Sequence, residues 1–191
     1  MQNLTRAAIA LAFFLTTLGG AETLAEIPCR EFVTLPDESG QFCGVAALYA
    51  CLRSLGMDID IDDLWSPRYI TEDEGSSAAQ IIDAAAESNA YAVAAQGLTV
   101  HALFQQRPPC LLHVRGKKSS GKFNHWVAML GFDGTKAVLA DSNQGGWRCS
   151  PSELMAMWDG YCIIISDTGV NKGVRNLFRK YWSNFPLLST R

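Results

Sequence analysis

The stretch Gln41-Phe42-Cys43-Gly44-Val45-Ala46-Ala47-Leu48 decides how this chain reads. Ser39 and Gly40 form a turn before it. Behind it, Val45, Leu48, Tyr49, Leu52 and Leu55 recur at the three- and four-residue spacing of one helix face. Cys43 therefore falls where a loop becomes a helix. The first backbone N–H groups of a helix have no internal acceptor, and the macrodipole adds partial positive charge there. A thiolate, the nucleophilic form of cysteine, is stabilised at such an end. Gly44 lets another backbone or a substrate approach closely. Gln41 is placed to aim a side-chain N–H at a developing oxyanion, beside the N–H of Cys43 itself. A buried cysteine opening a core helix would fit the same residues, so the partners downstream decide.

Working outward, the helix from Cys43 stops at Gly56, a typical C-terminal glycine. Asp58-Ile59-Asp60-Ile61-Asp62-Asp63 lacks the glycine at its sixth position (Asp63) and the glutamate at its twelfth (Tyr69) that a calcium loop needs. Asp60 or Asp62 instead caps a short helix carrying Leu64 and Trp65. Ser76-Ser77 caps an amphipathic helix over 78–88, and 90–95 reads as a short strand. Thr99 caps a helix holding Leu103 and Phe104 that ends before Pro108-Pro109. Residues 110–114 form a buried strand, followed by a basic loop (Gly116, Lys117, Lys118, Gly121, Lys122) read as a solvated connection. The runs 125–132 and 137–140 are apolar on both faces, which places them inside a sheet, and Asp133-Gly134-Thr135-Lys136 joins them as a hairpin. Ser150-Pro151-Ser152-Glu153 opens the last helix, and 161–165 is the final strand.

A thiolate nucleophile needs a base and a group that orients the base. Of the three histidines, His125 begins a strand whose hairpin partner ends in Asp141. Asp141 either starts the Asp141-Ser142-Asn143 turn or accepts the His125 Nδ1 proton and fixes the tautomer. A two-residue turn on Asp133-Gly134 would oppose residue 126 to 141 and put His125 and Asp141 on opposite faces. Their pairing therefore requires a three-residue loop or a bulge. His113, in mid-strand, reads as a satisfied core histidine, and His101, near a helix start, as a surface one. No set of residues suggests a metal site or a cofactor.

The totals set limits. At 191 residues, 48% apolar and 18% charged, the chain fits one globular domain with a proper core. A formal charge of −3 gives no electrostatic reason to expect nucleic acid or anionic lipid. Arg6, the apolar run 7–18, and the small residues of Gly19-Gly20-Ala21 and Thr23-Leu24-Ala25 make 1–25 an expected signal peptide. That run is too short to span a bilayer core of ~30 Å comfortably. The mature chain is thus expected in the bacterial periplasm or secreted, without a transmembrane span. Export would bring Cys29, Cys43, Cys51, Cys110, Cys149 and Cys162 into an oxidising compartment. No C-x-x-C pair supports a zinc or thioredoxin-type motif. With Cys43 free, two disulfides at most are possible, and Cys51 reads as a small core residue. From Asn171 the chain turns basic (Lys172, Arg175, Arg179, Lys180, Arg191), with Val174, Phe178, Tyr181, Trp182 and Phe185 able to line one helix face. That helix either packs on its own domain or docks on an envelope or secretion-system partner through residues 171–191.

Gln41-Phe42-Cys43-Gly44, the helix to Gly56 and the Leu64 helix resemble the start of the bacteriocin-processing cysteine peptidases that cut double-glycine leaders. The second half is similar too: Cys110-Leu111-Leu112-His113-Val114, then His125-Trp126-Val127-Ala128-Met129-Leu130-Gly131-Phe132-Asp133-Gly134, then Val138-Leu139-Ala140-Asp141. Ser152-Glu153-Leu154 through Trp158-Asp159-Gly160 and the final strand complete a likeness covering 38–166. It implies an α+β, papain-like fold, with an N-terminal catalytic helix packed on an antiparallel sheet. It further implies Cys43 as nucleophile, His125 as base, Asp141 as its orienter, Gln41 in the oxyanion hole, a peptide or protein substrate and no cofactor. Ser142 stands where that family often has proline. The expected organisation is a signal peptide (1–25), a papain-like peptidase domain (26–166) and a basic amphipathic tail (167–191). The expected activity is that of a stand-alone exported endopeptidase acting after small residues such as Gly-Gly. The same triad would also serve acyl transfer to an amine. A non-hydrolytic peptide-binding module is the alternative from another class, though it has no need of Gln41, Cys43, His125 and Asp141 together.

Overall fold

The computed structural model describes residues 41–71, 75–106, 109–116 and 123–167. The expected signal segment, the 26–38 stretch, the lysines of the basic loop and the C-terminal tail lie outside the described residues.

Helix α1 (Cys43–Ser54) follows a turn at Gln41 and Phe42. Val45, Leu48 and Leu52 on its inner face are wholly buried. Each such side chain contributes roughly 1.5–3 kcal/mol by leaving water. Helix α2 (Ile61–Leu64) is a single turn capped by Asp60, whose Oδ1 accepts the Asp62 N–H at 3.1 Å. It buries Leu64, while Trp65, expected on the same helix, is its C-cap and is exposed. Helix α3 (Ala78–Glu87) opens on a reciprocal capping box between Ser77 and Gln80. Next come β1 (Tyr91–Ala95) and α4 (Val100–Gln106), at whose start the Ala102 N–H donates to Thr99 Oγ1 at 3.1 Å. The rest is β2 (Cys110–Arg115), β3 (Phe123–Asp133), β4 (Lys136–Asp141), β5 (Gly145–Cys149), α5 (Pro151–Met157) and β6 (Trp158–Ser166).

The six strands form one sheet in the order β1-β6-β2-β3-β4-β5, antiparallel at every pairing. The fold is thus the expected α+β arrangement of an N-terminal helix on an antiparallel sheet. Helices α1 and α3 cover one face, over Leu111, Ala128, Leu130, Ile163 and Ile165. Leu103 of α4 and Leu154 of α5 cover the other, over Leu112, Val127, Met129, Leu139 and Ile164. Alternate residues of β2, β3 and β6 enter different cores, which is why these strands read as unbroken apolar runs.

One feature departs from the sequence reading. Strand β5 was not expected, because Gly145-Gly146-Trp147-Arg148-Cys149 has no apolar alternation. It is an edge strand held by its ladder to β4. Strand β6 lies inside the sheet between β1 and β2. Cys43, Cys51, Cys110, Cys149 and Cys162 are all buried free thiols, so no disulfide joins any of these five. Burial raises the pKa of Cys51, as it does that of Cys110, where the neighbouring Cys162 adds to the effect. No helix among the described residues is long and apolar enough to cross a membrane.

Candidate active site

Cys43 is the first residue of α1 and only 4% exposed. The N-cap is Phe42, whose ring offers no acceptor, and no acidic side chain stands in the first turn. The positive end of the helix is therefore not neutralised by its own side chains. Helix α1 packs mainly against β3, the strand that carries His125.

The His125 ring lies between two partners. Its Nε2 is 3.0 Å from Asp141 Oδ2, and the Cys43 thiol is its other hydrogen-bond partner. A carboxylate only accepts, so Nε2 carries a proton and Nδ1 is the nitrogen left for the thiol. This corrects the expectation that Asp141 would take the Nδ1 proton: the ring is turned the other way. The pairing of residues is as expected; the nitrogen is not.

A bulge makes the pairing possible. The turn closes with Asp133 opposite Lys136, a register that would set Asp141 opposite Ala128, on the face away from His125. Between Met129 and Gly131 the register shifts by one, leaving Leu130 unopposed and Ala128 opposite Ala140. Asp141 then falls opposite Val127, on the same face as His125 two residues along. A diagonal pair of this kind, ~7–8 Å apart at the backbone, is within reach of an imidazole and a carboxylate. A second shift leaves Asn124 unopposed just before His125, and a third bends β6 between its pairings with Leu112 and Val114. Bulges at such places re-aim side chains.

Asp141 both opens the turn and holds His125, through Nε2 in place of Nδ1. Oδ1 accepts the Asn143 N–H at 2.9 Å and the Ser142 hydroxyl at 3.4 Å, which holds the turn. Oδ2 receives His125 and the Gln144 side-chain N–H at 3.0 Å. Ser142 is buried and tied into this turn by its hydroxyl. Burial disfavours the Asp141 carboxylate, but His125, the Asn143 N–H and Gln144 outweigh it and hold its pKa below the usual range. Burial also disfavours the His125 imidazolium. The hydrogen bonds and charges of Asp141 and Cys43 outweigh it and push His125 up to about 10.

Gln41 lies in the half-buried turn two residues before Cys43, its carbonyl against Gly75. Gly75 has φ +71°, and a Cβ there would stand 2.9 Å from that oxygen, so glycine is required on both counts. His113 is satisfied but not a core residue. Its Nδ1 meets Asp159 Oδ2 at 2.6 Å, and both side chains are about a quarter exposed. The β6 bulge brings Asp159 there, which strand periodicity does not encode. His101 is exposed and contacts Gln105. Gln144 was not anticipated; its only signal is its place in the turn that Asp141 opens. Among the described residues, no group of three or more His, Cys, Asp and Glu could hold a metal ion.

Comparison with solved structures finds the same fold. A double glycine motif protease from an AMS/PCAT transporter, solved with its leader peptide, shares 23% identity at a TM-score of 0.56. That match covers 65% of this chain and 84% of the other. The peptidase domain of Streptococcus ComA, a bifunctional ABC transporter of a quorum-sensing pathway, shares 20% identity at a TM-score of 0.56. There the coverage is 66% of this chain and 91% of the other. Comparison with curated proteins yields no match. Residues 32–169, most of the chain, match the model of the Peptidase C39 family. With that match, the chain belongs to the peptidase C39 family and is a cysteine peptidase.

Proposed function

We propose that this peptidase is an exported endopeptidase that cleaves peptide bonds through Cys43, His125 and Asp141. The observation that carries the reading is the His125 ring held between a buried carboxylate and a buried thiol at a helix N-terminus. With the proton already held on His125 Nδ1, the Cys43 sulfur attacks the scissile carbonyl carbon as the thiolate. The Cys43 N–H and the Gln41 side chain hold the oxyanion. His125 returns its proton to the leaving amine, and Asp141 keeps the imidazolium oriented and charged. Water, deprotonated by His125, then releases the acyl group from sulfur.

The substrate side follows by analogy. One structural neighbour is a double glycine motif protease bound to a leader peptide. Peptides cut after small residues such as Gly-Gly are accordingly the first substrates to try. Residues 1–25 would serve as signal peptide, 26–166 as the peptidase domain, and 167–191 as a basic tail through which an envelope or secretion-system partner could dock.

The test is mass spectrometry of Gly-Gly-containing peptides incubated with the purified mature protein, with and without an added amine. Cleavage that leaves a free carboxylate, traps an acyl group on Cys43 and disappears in Cys43→Ala supports the reading. Transfer to the amine in place of water would make the enzyme an acyltransferase. Binding without cleavage would reduce it to a peptide-binding module.

A further inference from the structure

Cys43 and His125 stand on different elements, a helix end and a strand. The packing of α1 on β3 is apolar and non-directional, so it brings the two together without fixing how far one slides along the other. Yet a misplacement of about 1 Å between reacting groups can cost ~10²-fold in rate. Something between the elements has to set the spacing.

Ser76 lies between their next neighbours. Gly44, directly after Cys43, faces it so closely that a Cβ on Gly44 would come within 2.6 Å of Ser76 Cβ and 3.0 Å of its Oγ. Trp126, directly after His125, donates its Nε1–H to the Ser76 carbonyl at 3.1 Å. Ser76 is 6% exposed and Trp126 7%, so water does not compete with this bond. The segment is also anchored at both ends. Thr71 pairs with Gly75, and its hydroxyl donates to the Gly75 carbonyl at 2.9 Å. Ser77 is tied into the capping box of α3. Ser76 Oγ itself is buried without a partner, so the hydroxyl forms no part of the link.

We propose that Ser76 is a positioning residue: a spacer whose Cβ limits the approach of Gly44, and whose carbonyl holds Trp126, so that the Cys43–His125 separation is fixed. The proposal rests on the assignment of Cys43 and His125 as nucleophile and base.

The experiment measures the rate of Cys43 alkylation by iodoacetamide between pH 5 and 11, located by peptide mass spectrometry, in the purified protein. The variants are His125→Ala, Trp126→Phe, Gly44→Ala, and Gly44→Ala combined with Ser76→Gly. Trp126→Phe keeps an aromatic ring but removes the donor. It is expected to slow alkylation at pH 7 about tenfold, with an unchanged far-UV spectrum. Gly44→Ala should slow alkylation as much or more, and adding Ser76→Gly, which removes the Ser76 Cβ and Oγ and leaves only the approach to the end of the Ile81 side chain at 3.1 Å, should restore most of the loss. That rescue separates spacing from a general loss of fold, and it stands even if Trp126→Phe does not fold. Alkylation at the parent rate in Trp126→Phe and Gly44→Ala, while His125→Ala is slow, overturns the spacer and leaves the active-site assignment intact. So does a failure of Ser76→Gly to rescue a folded Gly44→Ala. Slow alkylation of the parent protein, indifferent to His125→Ala, overturns the assignment and the spacer with it.

Discussion

Among the described residues, two histidine–aspartate pairs stand on neighbouring strands, and only one has the makings of a catalytic pair. His113 Nδ1 meets Asp159 Oδ2 at 2.6 Å, a shorter contact than the 3.0 Å between His125 Nε2 and Asp141 Oδ2. Distance therefore does not distinguish them. What lies around them does. The Asp159 side chain is 23% exposed, whereas that of Asp141 is 1% exposed and bound by its own turn and by Gln144. Beyond His113 are the rings of Phe123, Trp126 and Tyr161, at centroid distances of 5.0–6.2 Å. Beyond His125 is a thiol. A carboxylate fixed on one side and a thiol on the other are what the proposed mechanism requires; aromatic rings on the far side do not supply it.

The largest expected effect tests that contrast directly. His125→Ala should lower the alkylation rate of Cys43 at pH 7 by roughly 10²-fold or more, the usual scale for losing a general base. His113→Ala should change it by no more than about twofold. Comparable losses in the two variants would mean that His113 shares in activating the thiol, and the distinction drawn here would fail.

Next in size is Asp141→Asn, expected to cost on the order of tenfold to a hundredfold and to change the pH profile. In the intact protein the imidazolium persists until pH rises through about 10, so activity that needs it should fall on an alkaline limb there. The stability it contributes is fully present below the unfolded value of ~6.5 and is lost as pH rises through about 10. Asp141, held low, contributes stability present above ~3.9 and lost as the medium becomes more acidic. Asparagine in its place removes the charge but keeps much of the shape, so the alkaline limb should move toward neutrality. Asp159→Asn should leave that limb where it is.

A smaller loss, about three- to tenfold, is expected for Gln144→Leu. It removes one of the two side-chain donors to Asp141 Oδ2 while the Asn143 N–H keeps the turn. The loss should reside in kcat, since Gln144 contacts the carboxylate and acts on the reaction through it. A pure rise in KM would place Gln144 in substrate binding instead.

The contrast between the pairs also shows how much the sequence carries. Cys43, His125 and Asp141 were legible because each stands where a helix or strand begins or ends, and boundaries have signals: a glycine turn, a hairpin, an acidic residue closing an apolar run. Even the need for a register shift followed from counting residues around Asp133-Gly134. Which nitrogen of His125 faces Asp141 was not legible, because ring orientation depends on the partner that α1 brings from 82 positions earlier in the sequence. The pairing of His113 with Asp159 depends on an irregularity in β6, and β5 on a neighbour that supplies the ladder its own residues do not announce. Local pattern fixes elements; tertiary approach fixes contacts.

Trp126 belongs to both regions, and this gives the smallest effect its interest. Its ring centroid lies 5.0 Å from that of His113, while its N–H reaches across to the Ser76 carbonyl beside α1. If only that carbonyl and the Ser76 Cβ matter, the unpartnered Ser76 hydroxyl is an uncompensated cost, since burying such a group without a hydrogen bond costs ~1–3 kcal/mol. Ser76→Ala keeps the Cβ and the carbonyl and removes the oxygen. It should leave the melting temperature unchanged or raise it by ~2–4 °C, the shift that 1 kcal/mol produces at this chain length. A fall of several degrees would mean that the hydroxyl has a partner after all. The contact between the two regions would then run through Ser76's side chain as well as its backbone.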